Sequence, residues 1–280
     1  MTYKHKLLAL ALTTSLFSGC NKEKAEQTAE TTHAAPTETS NVPAVMNFVV
    51  VKTYPHDTTA FTEGLLLHNG QLFESTGSPE DMLQTRSVAG PVDTATGKID
   101  VKVEIDRNKY FGEGIVILND KLYQLTYTTK VGFVYDANTF KKLGEFNFPS
   151  QEGWGMTTDG TSLIMSDGTS TLTYLDPTTF KTVKTVNVNG LNGPVMNINE
   201  LEYINGYIYA NVYTTNYIIK IDPNSGMVVG TMDLSSLAQD AQRLNPNALE
   251  MNGIAYNPAT KNLYVTGKFW PTIYELKFSQ

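Results

Sequence analysis

Two sets of side chains stand at fixed offsets from a recurring frame in this sequence, and together they hold the makings of acid-base chemistry. Directly before five recurring steps come Glu63, Glu113, Trp154, Asn199 and Asn252; four steps are Gly-apolar, and the fourth in order carries Glu200 in place of the glycine. Five residues after a recurring strand Leu or Ile (Leu72, Leu122, Leu163, Ile208, Leu263) come Gly77, Tyr127, Gly168, Tyr213 and Lys268. If both sets converge, they make a pocket with two carboxylates, a cation, amides and aromatic walls, with the glycines leaving room on two sides. Clefts of that make-up are where pKa values become perturbed toward catalytic use. Singly, each residue has an ordinary explanation: Glu63 or Glu113 as a solvated strand-end carboxylate, Trp154 as core, the tyrosines as rim packing, Lys268 as a counter-ion for Glu113. Two independently counted sets that yield one polar cluster favour a site, because the frame repeats while these positions carry dissimilar side chains.

The elements that must position them recur five times. The steps Gly64-Leu65, Gly114-Ile115, Gly155-Met156, Glu200-Leu201 and Gly253-Ile254 lie 50, 41, 45 and 53 residues apart, a period in the range of propeller blades. Each is followed by a polar turn and a short apolar strand, as in Asn69-Gly70-Gln71-Leu72-Phe73 and Asn205-Gly206-Tyr207-Ile208-Tyr209. Four repeats then add a turn opened by Asp93, Asp136, Asp176 or Asp222, whose side chain caps its own turn. The fifth lacks that turn, and the β-rich stretch 46–54 with Val49, Val50 and Val51 is otherwise unpaired. The expected fold is therefore all-β: a five-bladed β-propeller closed by its N-terminal strand, which leaves no long free edge. The innermost strand of each blade lines a central channel, so equivalent positions form a ring.

Composition narrows the chemistry. The 280 residues carry a net charge of −7 without a dense basic run, which argues against a nucleic-acid partner. His5, His33, His56 and His68 show no metal-ligand spacing, so no metal is expected. There is no Gly-x-Ser-x-Gly elbow, no phosphate-cradling glycine loop and no cysteine beyond Cys20, so neither nucleophilic Ser or Cys catalysis nor a nucleotide cofactor is indicated. The nearest approach to an amphipathic helix is the segment 234–244. A propeller of this size usually needs no partner to bury a core, so a monomer is expected.

Lys4, His5 and Lys6 precede an apolar run ending in Leu16-Phe17-Ser18-Gly19-Cys20. This resembles a bacterial lipoprotein signal, in which the chain is cut before the cysteine and the cysteine is lipidated; an ordinary secretory signal with an incidental Cys20 is the alternative. Residues 21–45, rich in Ala, Thr, Glu and Pro, read as a flexible tether. The expected organisation is a signal over 1–19, lipidated Cys20 and tether over 20–45, and the propeller over 46–280. In that resemblance, Asn21 after the cysteine, rather than Asp, implies an exported protein on the outer membrane, facing the periplasm.

Eight segments carry a resemblance that spans the mature domain: Phe61-Thr-Glu-Gly-Leu65, Phe73-Glu-Ser-Thr-Gly77, Tyr110-Phe-Gly-Glu-Gly114, Leu122-Tyr-Gln-Leu-Thr126, Glu152-Gly-Trp-Gly155, Asn199-Glu-Leu-Glu202, Asn252-Gly-Ile-Ala255 and Thr266-Gly-Lys-Phe-Trp-Pro271. In that order they resemble the glutamine cyclotransferases, the plant and bacterial type of glutaminyl cyclase. The resemblance implies a five-bladed propeller acyltransferase that converts N-terminal glutamine of peptides or proteins to pyroglutamate with release of ammonia. It implies Glu113 as the essential carboxylate and Trp154, Asn199 and Lys268 as pocket residues. Positions 127 and 213, commonly Trp in that family, are Tyr here, and position 63, commonly Gln, is Glu. The family's Arg after the first Ser-Thr-Gly segment has no counterpart beyond Arg86.

The implied chemistry suits the cluster. The substrate amine must lose a proton while it attacks its own side-chain amide, and the leaving nitrogen must gain one; one positioned carboxylate, Glu113, can do both. Lys268, Asn199 or the Trp154 indole can stabilise the oxyanion, and Tyr127 and Tyr213 wall the folded-back conformer. Glu63 is expected to help hold the substrate ammonium and to raise the pKa of Glu113. Two other readings stand beside this one: a propeller glycosidase or lyase using paired acids, and a non-catalytic envelope lipoprotein whose mouth binds a peptide.

Overall fold

The protein is represented by a computed structural model that describes residues 42–279. The expected signal, Cys20 and most of the expected tether lie outside the described residues.

Alternating apolar and polar residues between tight turns produce five antiparallel sheets. The innermost strands are Thr62–His68, Gly112–Leu118, Met156–Thr158, Ile198–Ile204 and Met251–Asn257, each the neighbour of the next and the last returning to the first. Blade 2 is representative: Gly112–Leu118 pairs with Lys121–Thr126, that with Val131–Asp136, and that with Lys142–Asn147. The inner turns use left-handed residues, Asn69 and Gly70 in blade 1 and Asn205 and Gly206 in blade 4, as tight hairpins require. The outer turns are capped as expected, with Asp136 Oδ1 accepting the Thr139 N–H at 2.7 Å and Asp176 Oδ1 the Thr179 N–H at 2.6 Å.

Closure follows the expectation and extends it. Phe48–Pro55 is the outer strand of blade 5, antiparallel to Thr272–Phe278. Just upstream, Ala44–Val45 pairs in parallel with the outer strand Val228–Asp233 of blade 4. Strand pairing thus includes residues before 46, and the segment 44–55 stitches two blades. The segment read as nearest to a helix is one, Ser235–Leu244, and buries Leu237, Ala238 and Ala241 in the blade 4–blade 5 core. The apolar cores lie between successive blades: Tyr123, Phe146 and Met156 pack between blades 2 and 3, Leu172, Leu201 and Ile219 between 3 and 4.

The recurring glycines let inner strands touch backbone to backbone. A Cβ on Gly114 would stand 2.6 Å from Trp154 O, and one on Gly155 would stand 2.2 Å from Asn199 O. Where the repeat has Glu200 instead, the side chain crosses the channel: its Oε2 accepts the Ile254 N–H of blade 5 at 2.8 Å and its Oε1 the Leu65 N–H of blade 1 at 3.3 Å. The departure from the repeat is a plug beneath the ring.

Candidate active site

Each ring residue sits at an irregularity of its strand. The register slips between Thr62 and Gly64, Gly112 and Ile115, Ile198 and Leu201, and Met251 and Ile254, in blades 1, 2, 4 and 5. A β-bulge re-aims side chains, and here the bulged residues are Glu63, Glu113, Asn199 and Asn252. In blade 3 the strand begins later, at Met156, and Trp154 is held by donating its N–H to Ser166 O at 3.1 Å. Side chains three residues after the strand Leu or Ile stitch the ring across blades. Ser75 Oγ–H donates to Glu113 O and Ser166 Oγ–H to Asn199 O, both at 2.7 Å, and Asn211 Oδ1 accepts the Gly253 N–H at 3.1 Å. In blades 1, 3 and 4 these residues stand at a third fixed offset from the strand Leu or Ile.

The two expected rings do converge. Glu63, Glu113, Tyr127, Trp154, Asn199, Tyr213 and Lys268 all line one cavity of about 520 Å³ at the channel mouth. Asn252 stands behind it, with its Nδ2 donating to Glu63 Oε2 at 2.9 Å and to Thr62 O at 3.1 Å. The expected room beside the two glycines is taken by rings instead. A Cβ on Gly77 would lie 2.1 Å from Phe111, and one on Gly168 would lie 2.6 Å from the Trp154 indole. Phe61 and Phe111 complete the aromatic wall, their rings edge-to-face at 6.0 Å, and Trp154 meets Tyr213 edge-to-face at 5.6 Å.

Lys268 pairs with Glu63 rather than Glu113: Nζ to Oε1 is 2.8 Å, with both side chains buried. The ammonium also lies 4.3 Å above the Phe61 ring. The lysine is aimed by a backbone turn in which Phe269 adopts φ +60° and donates its N–H to Ala60 O. Glu63 therefore has a partner on each oxygen. The Glu113 carboxyl has no hydrogen-bond partner among the described residues. Burial pushes it well above the ordinary carboxylate range, the Glu63 charge adds to that, and Lys268 only partly opposes it. Burial likewise raises Glu63, to about 7, against the pull of Lys268 and Asn252. Burial disfavours the Lys268 charge, but Glu63 and Glu113 together hold its pKa above the usual value. With two carboxyls against one ammonium, the lysine keeps its charge.

Several contributors were not singled out from the sequence. Glu152 accepts the Trp154 indole N–H at 2.9 Å and interacts with the Tyr127 hydroxyl, so it fixes two walls at once. Arg107 lines the cavity and clamps its blade 1 loop, donating to Pro79 O at 3.0 Å, Leu83 O at 3.0 Å and Thr85 O at 2.8 Å. Arg86, the sequence candidate for an arginine here, instead makes a two-point surface pair with Glu104. Arg107 lies three residues before the Tyr110-Phe-Gly-Glu-Gly segment, a proximity that could have marked it. Among the described residues no cluster of His, Cys, Asp and Glu could hold a metal ion.

A family model described as glutamine cyclotransferase matches residues 23–278. The chain belongs to that family. It is 40% identical over 233 residues to a glutaminyl-peptide cyclotransferase of Arabidopsis thaliana, covering 82% of this chain and 71% of the relative. Its fold superposes on the crystal structure of Myxococcus xanthus glutaminyl cyclase with a TM-score of 0.76 at 33% identity, covering 85% of this chain and 98% of that one. The five-bladed architecture is thus that of a glutaminyl cyclase. In a family member, the pairing of Glu63 with Lys268 leaves Glu113 as the carboxyl that faces the cavity unclaimed.

Proposed function

We propose that this protein is a glutaminyl-peptide cyclotransferase, closing an N-terminal glutamine onto its own side-chain amide to give pyroglutamate and ammonia, with Glu113 as the proton shuttle. The observation that carries the reading is the Glu113 carboxyl: buried, lining the cavity, without a hydrogen-bond partner among the described residues, and pushed by burial well above the ordinary carboxylate range. The neutral α-amine attacks the amide carbon, forming the ring C–N bond and sending the carbonyl electrons to oxygen. Glu113, as carboxylate, takes a proton from the attacking nitrogen and delivers it to the amide nitrogen. Collapse of the oxyanion then breaks the outgoing C–N bond and frees ammonia. The Trp154 N–H is engaged by Glu152, whereas the Lys268 ammonium keeps two N–H groups beyond the one on Glu63, so Lys268 and the Asn199 amide are the cavity-lining donors that can answer the oxyanion. The aromatic walls Phe61, Phe111, Trp154 and Tyr213 hold the folded-back side chain, which is most of what an intramolecular closure needs. A glycosidase would require two carboxyls free to flank one bond, and Glu63 is committed elsewhere.

The test is ammonia release and product mass for a Gln-initiated peptide incubated with the domain from Pro43 onward, beside Glu113→Gln. Turnover in the parent, reduced at least about 100-fold in the variant, supports the reading. A folded parent without turnover overturns it in favour of a peptide-binding lipoprotein.

We also read residues 1–19 as an export signal and Cys20 as the lipidated anchor, which would tether the monomeric propeller at the periplasmic face of the outer membrane. The supports are the Lys4–Lys6 head, the apolar run and the sole cysteine at its end. Cys20→Ala in the full chain should release the protein from the membrane fraction; retention would reject the anchor.

A further inference from the structure

A cyclase acting on peptides must let the chain behind the glutamine leave the cavity, and one side of the rim is built for that exit. The turn 106–110 forms this side. It is stiffened by Asp106, whose carbonyl accepts the Tyr110 N–H at 2.8 Å and whose side chain accepts the Asn108 N–H at 3.0 Å. Its inner face, through Asn108, Lys109 and Tyr110, lines the catalytic cavity. Its outer face opens on a second hollow of about 530 Å³ between blades 1 and 2, lined in part by Val103, Lys109, Tyr110, Phe133, Phe140 and Lys142. Lys109 and Tyr110 belong to both hollows, so a short extended chain, at about 3.3 Å per residue, crosses from one to the other within a few residues.

The hollow also has a chemistry. Its floor is aromatic, with Tyr110 and Phe133 edge-to-face at 5.0 Å, and two ammonium groups stand over it: Lys109 Nζ 5.0 Å from the Tyr110 ring and Lys142 Nζ 4.4 Å from the Phe133 ring. The acids nearby are largely committed, Glu104 to Arg86 through both oxygens and Glu145 to Lys142 at 2.6 Å. Lys109 is exposed and makes no ion pair among the described residues.

We propose that this hollow is the subsite for the residues following the N-terminal glutamine, and that Lys109, which makes no ion pair among the described residues, selects a carboxylate there with Lys142, held by Glu145, beside it. The inference rests on the cyclase reading. The carboxylate comes either from an acidic side chain in the first three residues after glutamine or from the free C-terminus of a very short peptide; amidated substrates separate the two sources.

The experiment compares kcat/KM for Gln-Ala-Glu-Ala-amide, Gln-Ala-Lys-Ala-amide and the free acid Gln-Ala, each divided by the value for glutamine amide on the same preparation. It uses the parent and the double variant Lys109→Glu, Lys142→Glu. An exposed charge contact changes such a ratio by up to about fivefold. The expected result is a two- to fivefold preference for the glutamate peptide over the lysine peptide in the parent, inverted in the variant and erased at high salt. A preference confined to the free acid Gln-Ala would assign the carboxylate to the peptide terminus. Equal ratios for all substrates in the parent, or ratios unmoved by the variant, overturn the subsite. Glutamine amide that turns over while the peptides do not discriminate rejects this inference alone; no turnover of any substrate rejects the cyclase reading and the subsite with it.

Discussion

Glu63 Oε1 accepts the Lys268 ammonium at 2.8 Å, so the cation of this site is bound to the carboxylate of blade 1 and the carboxyl of blade 2 is left facing the cavity. The Glu63 charge acts on Glu113 in the expected direction, adding to the larger effect of burial, while the ion pair of Lys268 is made with Glu63. Glu63 as the direct holder of the substrate ammonium fits less well, because Lys268 and Asn252 already occupy its two oxygens.

Replacing Glu63 by Gln removes the repelling charge and frees Lys268 to approach Glu113. Both changes lower the Glu113 pKa, since a negative neighbour disfavours ionisation and a positive one favours it. The activity of the parent should therefore rise with pH through an acidic limb well above the ordinary carboxylate value, and that limb should move to lower pH in Glu63→Gln. A pH profile of kcat/KM reads the shift directly, and an unmoved limb would show that Glu63 does not tune the base.

Much of this was legible in the sequence because a propeller writes its geometry as offsets. The position before the recurring step and the position five after the strand Leu or Ile bring seven of their eight side chains onto one cavity, with Asn252 behind it on Glu63. What escaped had two physical origins. The bulges at Glu63, Glu113, Asn199 and Asn252 leave no mark in an alternating pattern, although they are what aims those side chains inward. Other contributors act across long sequence separations: Glu200 reaches Leu65 across 135 residues and His56 reaches Trp270 across 214. A periodic reading sees such residues as departures from a repeat and not as the contacts they make.

Glu200 illustrates the second kind and yields a test on stability. Burial pushes its carboxyl well above the usual range, neighbouring Glu202 adds to this, and the Leu65 and Ile254 N–H groups only partly offset it. A folded-state pKa above the unfolded one of about 4.3 means the contribution is intact below that value and is lost as pH rises through the folded pKa. Glu200→Gln removes the charge but keeps an acceptor for only one of the two N–H groups, so its melting temperature relative to the parent should rise from pH 5 to pH 9. Glu200→Gly, which matches the other blades, strands two buried N–H donors and should cost about 1–3 kcal/mol for each at either pH. Thermal melts of both variants across that pH range check these expectations, and a Gln variant whose stability relative to the parent does not rise from pH 5 to pH 9 would reject the axial-charge account.

His56 carries the opposite charge with the same direction of pH dependence. It is fully buried where the closing strand meets blade 1, with Nδ1 2.7 Å from Trp270 O and Nε2 3.1 Å from both oxygens of Glu74. Each ring nitrogen thus faces an acceptor, and only the imidazolium can donate to both. Burial disfavours that charge, but Glu74, the Trp270 carbonyl and nearby Asp57 outweigh it and raise the pKa above 6.5. The stabilisation is therefore complete below the unfolded value near 6.5 and disappears as pH rises through the higher folded pKa. Because Glu74 also accepts the Thr62 hydroxyl at 2.7 Å, beside Glu63, the pair braces the ion pair of the active site from behind. His56→Ala leaves Glu74 buried without its cation and should cost about 3–5 kcal/mol at pH 6, with a smaller loss in strongly alkaline solution. Imidazole nitrogen shifts followed by NMR give the decisive reading: His56 should remain doubly protonated above pH 6.5, and a titration at or below that value would reject the buried imidazolium.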